Sequence, residues 1–240
     1  MTSLLNPRFT YTKLERDESS GKRLYVCPDG TRVPSVTTIL DATKSEESKA
    51  ALANWRKAIG EQKAQQITTE AANRGTRMHK YLEDYVDGAV LKESVSNPYA
   101  QQSLVMAKKI IQQGMSHVNE VWGSEVPVHF PGLYAGTIDL VGVWDGKPAI
   151  MDYKQSNKPK SDDHVESYKT QLCAYALAHN EVYGTNIRTG VIMMCVKPDE
   201  VKPGQWAEPK YQQWVIDGNE FDYWTEQWLA KVEQYYSQVG

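Results

Sequence analysis

The sequence carries no surplus of basic charge: 27 Lys and Arg against 30 Asp and Glu leave a formal charge of −3. A chain that held polyanions by its overall field would need the opposite sign, so any such contact must come from a local patch. Cysteine is scarce. Cys27, Cys173 and Cys195 are odd in number, far apart and never in a CxxC pair, which argues against a disulfide framework or a zinc finger and suits a reducing compartment. No run approaches the roughly 18 apolar residues of a membrane span. Met1-Thr-Ser-Leu-Leu-Asn-Pro lacks both the basic start and the apolar core of a signal peptide. An intracellular, cytoplasmic protein without a membrane partner is expected. Internal repeats and low-complexity tracts are also missing. What is present is ordinary globular material: 240 residues, 40% apolar and 24% charged, with seven Trp and fourteen Tyr against three Phe.

Along the chain, β-like runs at 9–14, 23–27 and 31–40 are separated by turn residues Ser19-Ser-Gly21 and Pro28-Asp-Gly30. Residues 45–86 read as Ala-rich helices, the second starting near 69 with a stripe of Ala71, Gly75, Met78, Leu82 and Tyr85. A third helix is expected over 99–121, carrying Leu104, Ile111 and Val118. Strands follow at 122–130, 136–144, 147–154, 188–196 and 211–216, with helices at 163–181 and 220–236. Residues 197–209, with three prolines, read as a loop or extended arm. The expected organisation is a single domain over 1–240: a β segment at 1–44, a helical part at 45–121 and a sheet-bearing part at 122–240.

The most informative stretch is Gly136-Thr-Ile-Asp-Leu-Val-Gly-Val-Trp144, then Asp145-Gly146, then Lys147-Pro-Ala-Ile-Met-Asp-Tyr-Lys154. Asp-Gly between alternating apolar residues signals a two-residue hairpin turn. That turn sets the register, so Asp139 should face Asp152 and Thr137 should face Lys154, the former as a close, non-hydrogen-bonded pair. Strand period places Asp139, Asp152 and Lys154 on one face, shared with Val141, Val143 and Ile150; Ile138, Leu140, Trp144 and Met151 take the other. Apolar residues on both faces call for cover on both faces. The fold class expected is therefore α/β, a mixed central β-sheet flanked by helices, with a helical N-terminal half and a small β appendage. Two facing carboxylates beside a lysine are unfavourable in a merely structural sheet. They suit Mg²⁺, which takes one or two carboxylates plus phosphate and water oxygens.

Other residues carry weaker signals. His79, in Arg74-Gly-Thr-Arg-Met-His-Lys-Tyr-Leu-Glu83, could complete a metal shell; a histidine bonded to Glu83 or a backbone carbonyl is the plainer alternative. Gly75 costs a helix about 1 kcal/mol relative to Ala, which a close backbone approach or a kink would explain. Gln171 and Tyr175 share one helical face and could brace the site, or be ordinary polar residues of a surface helix. Arg74 and Arg77 lie one turn apart, and Lys158, Lys160 and Lys169 follow the acidic strand. Any of them could touch phosphates, although solvating charge is the commoner role. Tyr and Trp could stack unpaired bases, but Trp224 and Trp228 have core spacing.

Four of these pieces, in order, resemble the RecB-like branch of the PD-(D/E)xK nuclease superfamily: Arg74-Gly-Thr-Arg-Met-His79-Lys-Tyr-Leu-Glu83, Gly136-Thr-Ile-Asp139, Asp152-Tyr-Lys154 and Gln171-Leu-Cys-Ala-Tyr175. Upstream, Val33-Pro-Ser-Val-Thr-Thr-Ile-Leu40 resembles the serine-bearing segment of phage exonucleases and of the mitochondrial genome maintenance exonuclease. The resemblance implies a restriction-endonuclease-like core at 122–240. It implies that His79, Asp139, Asp152 and the Tyr153 carbonyl bind Mg²⁺ or Mn²⁺, that Lys154 is catalytic, and that Gln171 and Tyr175 brace the site. Ser35 and Arg74 would touch nucleic acid. Glu125 stands open between an additional metal ligand and a strand-edge carboxylate. The residue before Asp139 is Ile138, so the literal Pro-Asp is absent. No cysteines flank the motifs in the manner of iron–sulfur members of the superfamily, so no such cluster is expected. The implied activity is metal-dependent hydrolysis of DNA, single-stranded or with free ends, in replication, recombination or repair. The alternatives are a non-cleaving nucleic-acid-binding module and an endonuclease of the same fold.

Overall fold

Asp145 and Gly146 both take positive φ, 44° and 80°, the backbone that a two-residue hairpin turn requires. Around this hairpin the computed structural model describes residues 4–17 and 24–239; the turn read at 19–21, and residue 23 of the run at 23–27, lie outside the described residues. A three-stranded sheet comes first: β1 (Glu15–Asp17), β2 (Leu24–Val26) and β3 (Arg32–Pro34). Helices α1 (Val36–Ala42), α2 (Glu46–Ile59), α3 (Glu61–Val86) and α4 (Pro98–Gln113) follow. Strands β4 (Val118–Phe130), β5 (Tyr134–Trp144) and β6 (Lys147–Ser156) lead to α5 (Glu166–Tyr183), then β7 (Gly190–Val196). A two-stranded ribbon, β8 (Glu200–Lys202) with β9 (Gln205–Trp206), precedes β10 (Lys210–Ile216) and α6 (Gly218–Val239).

The main sheet has the order β10-β7-β6-β5-β4, and only β6–β7 is parallel, joined through α5. Parallel neighbours need such a crossover. One face carries Val141, Ile150 and Ile192 against α1, α5 and α6; Trp224 and Trp228 pack here, as core residues. The other carries Leu140, Met151 and Met193 against Met78 and Leu82 of α3 and Met106 and Ile110 of α4. The mixed sheet between helices, with its small β appendage, is the architecture read from the hairpin.

Several boundaries differ from the sequence reading. The run at 31–40 is a strand only to Pro34, because Ser35 accepts the Thr38 N–H at 3.0 Å and starts α1; a cap outweighs the β preference of Val36-Thr-Thr-Ile39. Residues 9–14 form no strand; Phe9 and Tyr11 pack instead on His179 and Tyr183. The second helix starts at Glu61, after Gly60 breaks the chain direction at φ 85°. The third ends at Gln113, so Val118 opens a strand rather than closing a helix. The proline-containing arm holds the β8–β9 ribbon.

The hairpin register is as expected from Trp144↔Lys147 to Leu140↔Met151, and there the ladder stops. Asp139 and Asp152 form no rung, and Thr137 pairs with Pro127 on β4 rather than facing Lys154. Directly opposed like charges destabilise a strand pair, and the strands part at the rung where the two aspartates would have met. Ile138 is also on the side of Val141, not of Leu140; the alternation breaks where the ladder ends.

Gly142 is fixed by a close approach: a Cβ there would lie 2.0 Å from the Glu120 carbonyl oxygen and 2.9 Å from Val121 Cα. Backbone cannot yield as a side chain can, so Gly142→Ala should lose about 2–3 kcal/mol, a Tm drop of roughly 2–4 °C per kcal/mol. At Gly75 the nearest atom to a Cβ outside the helix is Gln155 Cγ at 3.6 Å, so no close backbone approach demands the glycine. Gly75→Ala should hold Tm or raise it, by up to about 1 kcal/mol of helix propensity. Thermal unfolding of the two variants checks both outcomes.

Candidate active site

Where the β5–β6 ladder ends, a side chain takes over from the backbone: Asp139 Oδ2 accepts the Tyr153 N–H at 2.9 Å. Asp139, on β5, is thereby tied to the backbone of β6. Asp152, on the next step of β6, is 3% exposed and in ionic contact with Lys154 Nζ. Its Oδ2 receives no well-formed hydrogen bond. Lys154 lies with its ammonium 4.9 Å from the centre of the Tyr168 ring on α5, an arrangement that favours the charged form.

On the other side, β4 carries Glu125 at φ 51°, a rare conformation for a non-glycine residue inside a strand. The flanking pairs Ser124↔Leu140 and Val126↔Ile138 bracket Glu125 and Asp139 without a rung between them. His79, from α3, meets both: Nδ1 is 3.6 Å from Glu125 Oε1 and from Asp139 Oδ2, while Nε2 is 2.9 Å from the Tyr153 carbonyl oxygen. The carbonyl can only accept, so Nε2 donates and the carboxylates face Nδ1. The buried stripe Met78, Leu82 and Val86 holds α3 in this place.

The electrostatics follow from burial. Burial pushes the Asp152 carboxyl up, to about 6, with Asp139 adding and Lys154 opposing. Burial disfavours charge on His79, yet Asp139 and Glu125 outweigh it and lift the imidazole to about 9. Burial likewise opposes charge on Lys154, and Asp152 and Asp139 reverse that, raising it. Two cations, His79 and Lys154, thus face the three carboxyl groups of Asp139, Asp152 and Glu125. His79, Glu125 and Asp139 each offer a ligand atom within 4.8 Å of the others, and the Tyr153 carbonyl adjoins them. Carboxylates and a carbonyl with one imidazole suit a hard divalent cation. The residues present therefore fit a metal, and a cation would take over the role His79's proton plays here.

The helix α5 supplies a further wall. Gln171 Nε2 donates to the Tyr175 hydroxyl at 2.9 Å. Tyr175 lies so close to β5 that a Cβ on Gly136 would come 2.6 Å from its Cε1. Gly136 is thus what lets Tyr175, and with it Gln171, approach the strand that carries Asp139. Gln171 and Tyr168 line a cavity of about 620 Å³ between α1, α5 and α6.

The remaining candidates are placed as follows. Ser35 is buried as the cap of α1 and touches the Thr37 and Thr38 hydroxyls. Arg74 is buried too, its guanidinium donating to Gln155 at 2.8 Å and 2.6 Å and to Asn157. Arg77 makes a long contact, 3.4 Å, with Ser103. Lys158 is exposed just beyond β6. Lys169, read as a possible phosphate contact, is buried in ion pairs with Asp162 and Glu220, so it ties α5 to α6 instead. Sequence reasoning overlooked Tyr168, Gln155 and Asn157. Gln155 and Asn157 follow Lys154 in a short polar run at a strand end, which was the available signal; nothing in the local pattern marks Tyr168.

Mitochondrial genome maintenance exonuclease 1 of Homo sapiens is 27% identical to this chain over 214 residues, 85% of this chain and 58% of that protein. For the Mus musculus protein of the same name the figures are 25% over 226 residues, 91% and 63%. The chain spans less than two thirds of the length of these curated relatives. A solved Eubacterium rectale structure bearing a provisional exonuclease name superposes with a TM-score of 0.49 at 16% identity, over 71% of this chain and 66% of that one. The profile of the PD-(D/E)XK nuclease superfamily matches residues 50–238, and on that match the chain belongs to this superfamily.

Proposed function

We propose that this nuclease is a metal-dependent deoxyribonuclease that hydrolyses phosphodiester bonds in single-stranded DNA or at DNA ends, in replication, recombination or repair. The observation that carries the reading is the pairing of Asp139, anchored on the Tyr153 N–H, with the ion pair of buried Asp152 and half-buried Lys154 at the end of one hairpin. A protein that only binds nucleic acid gains nothing from three carboxylates placed where a phosphate would sit. His79, Asp139, Asp152 and the Tyr153 carbonyl would hold Mg²⁺ or Mn²⁺, with Glu125 as a further oxygen donor. Such an ion would lower the pKa of a water and offset charge on the scissile phosphate.

Lys154 orients the attacking water and counters the charge that develops on the phosphate oxygens. It is held charged for this by Asp152 and Asp139. Gln171, steadied by Tyr175, can donate to a phosphate oxygen from the α5 side. The water oxygen bonds to phosphorus as the bond to the 3′ oxygen breaks, and the products are a 5′-phosphate and a 3′-hydroxyl. Two features support an end-directed reading. The relatives are named exonucleases. In addition, α2 has no buried residue, and its first turn lines the cavity containing Gln171, which leaves an exposed helix available for a strand end.

Lys154→Met should reduce cleavage of labelled single-stranded DNA in Mg²⁺ by roughly 10²–10⁴-fold, in protein still folded at the assay temperature and still able to bind DNA. Equal degradation by variant and wild type would sink the assignment. Metal binding should also be linked to protons. With His79 raised to about 9, the metal-free imidazole is protonated at pH 7.5 and must lose that proton to become a ligand. Metal affinity should therefore rise with pH, up to about tenfold per unit below pH 9. Calorimetry in two buffers of different ionisation heat should find about one proton released per Mn²⁺ in wild type and none in His79→Asn. Equal release from both proteins would remove His79 from the ligand set.

A further inference from the structure

Beyond the carboxyl ends of the parallel strands β6 and β7 lies a second cleft, of about 250 Å³, which the mechanism does not use. Its walls are Arg74 and Arg77 of α3, Tyr99 of α4, Trp206 of β9 and Lys197 just after β7. Tyr99 is 59% exposed, so its ring is open to solvent. The Trp206 indole is fixed by its N–H, which donates to the Pro98 carbonyl at 3.2 Å. Lys197 is exposed, and its backbone N–H bonds the Ser156 carbonyl at 2.7 Å, which locks the cleft to the strand bearing Lys154. Asn157, whose side chain accepts from Arg74, is three residues past Lys154, about 10 Å at strand rise. Three cations against the single carboxylate of Glu70 make this a local basic patch on a chain of net charge −3.

From this geometry we infer that the cleft is a subsite for unpaired nucleic acid, with bases stacked on Trp206 and Tyr99 and phosphates on Arg77 and Lys197. The inference rests on the nuclease reading and adds to it where the strand lies. Cations alone would accept any polyanion, including duplex. Aromatic rings lining the cleft beside them select bases that are not already paired and stacked. A cleft of this volume has room for a base and not for a duplex. Arg74 is held by Gln155 and Asn157 and serves as the rigid floor, so the exchangeable contacts fall to Arg77 and Lys197. On this account the β8–β9 ribbon is a stacking wall, and the proline-containing arm exists to carry it.

The test is equilibrium binding of fluorescent oligodeoxythymidylate, and of a blunt duplex, to the full chain in EDTA, with Mg²⁺-dependent cleavage measured alongside. Trp206→Ala should weaken single-strand binding roughly tenfold, and Trp206→Phe should restore it to within about threefold, since the ring suffices for stacking. Duplex binding should be the same in both. Lys197→Gln should reduce the slope of log affinity against log salt by about 0.7, one single-strand phosphate. Loss of binding in both Trp206 variants would mean that the indole N–H to Pro98 only supports the fold, and would overturn the subsite. Wild-type binding and salt slope in all three variants would overturn it too, while leaving the nuclease reading intact if the protein still cleaves. A wild-type protein that neither binds nor cleaves single strands would remove both.

Discussion

The structure is organised around a place where a β-ladder cannot continue. Asp139 and Asp152 would oppose each other one rung beyond Leu140↔Met151, and like charges at that spacing repel. The strands part, and Asp139 takes up the Tyr153 N–H that the ladder would have used. The same parting leaves the Tyr153 carbonyl free for His79 and leaves Glu125, in its left-handed conformation, beside Asp139. One unsatisfied rung thus gathers three carboxylates, a carbonyl and an imidazole. In this arrangement the excess negative charge is held by protons on His79 and Lys154, which a divalent cation would partly replace.

The rest of the fold keeps this charged cluster in register. Cores on both faces of the sheet make it rigid: α3 brings His79 by burying Met78, Leu82 and Val86, and α5 brings Gln171 through a Tyr175 ring that only a glycine at 136 can admit. Arg74 fastens α3 to the end of β6 through Gln155 and Asn157. It therefore supports the site's geometry directly, whatever contact with a substrate it makes.

Much of this was legible in the sequence because short-range chemistry decided it. Asp145-Gly146 dictated the turn and the first rungs, and alternating apolar residues on both faces dictated a sheet covered by helices. What escaped depended on events across the chain. A 139/152 rung would oppose two carboxyl groups, a repulsion that turn geometry does not contain. The start of α1 turned on one hydroxyl, Ser35, against four β-favouring residues. Glu125 gave no periodic signal, since its backbone leaves the strand conformation, and its association with His79 depends on α3 crossing β4. Lys169 looked like an exposed cation until Asp162 and Glu220 closed over it.

The central claim is that the cluster at the end of the hairpin is the cation site of a working nuclease. Anomalous diffraction from crystals grown with Mn²⁺, using protein shown to cleave DNA in the same buffer, tests it most directly. The account predicts one strong peak in contact with the Asp139 carboxylate and the Tyr153 carbonyl oxygen, with His79 and Asp152 or Glu125 completing the shell. Active protein whose manganese peak lies elsewhere, with this cluster empty, would contradict it.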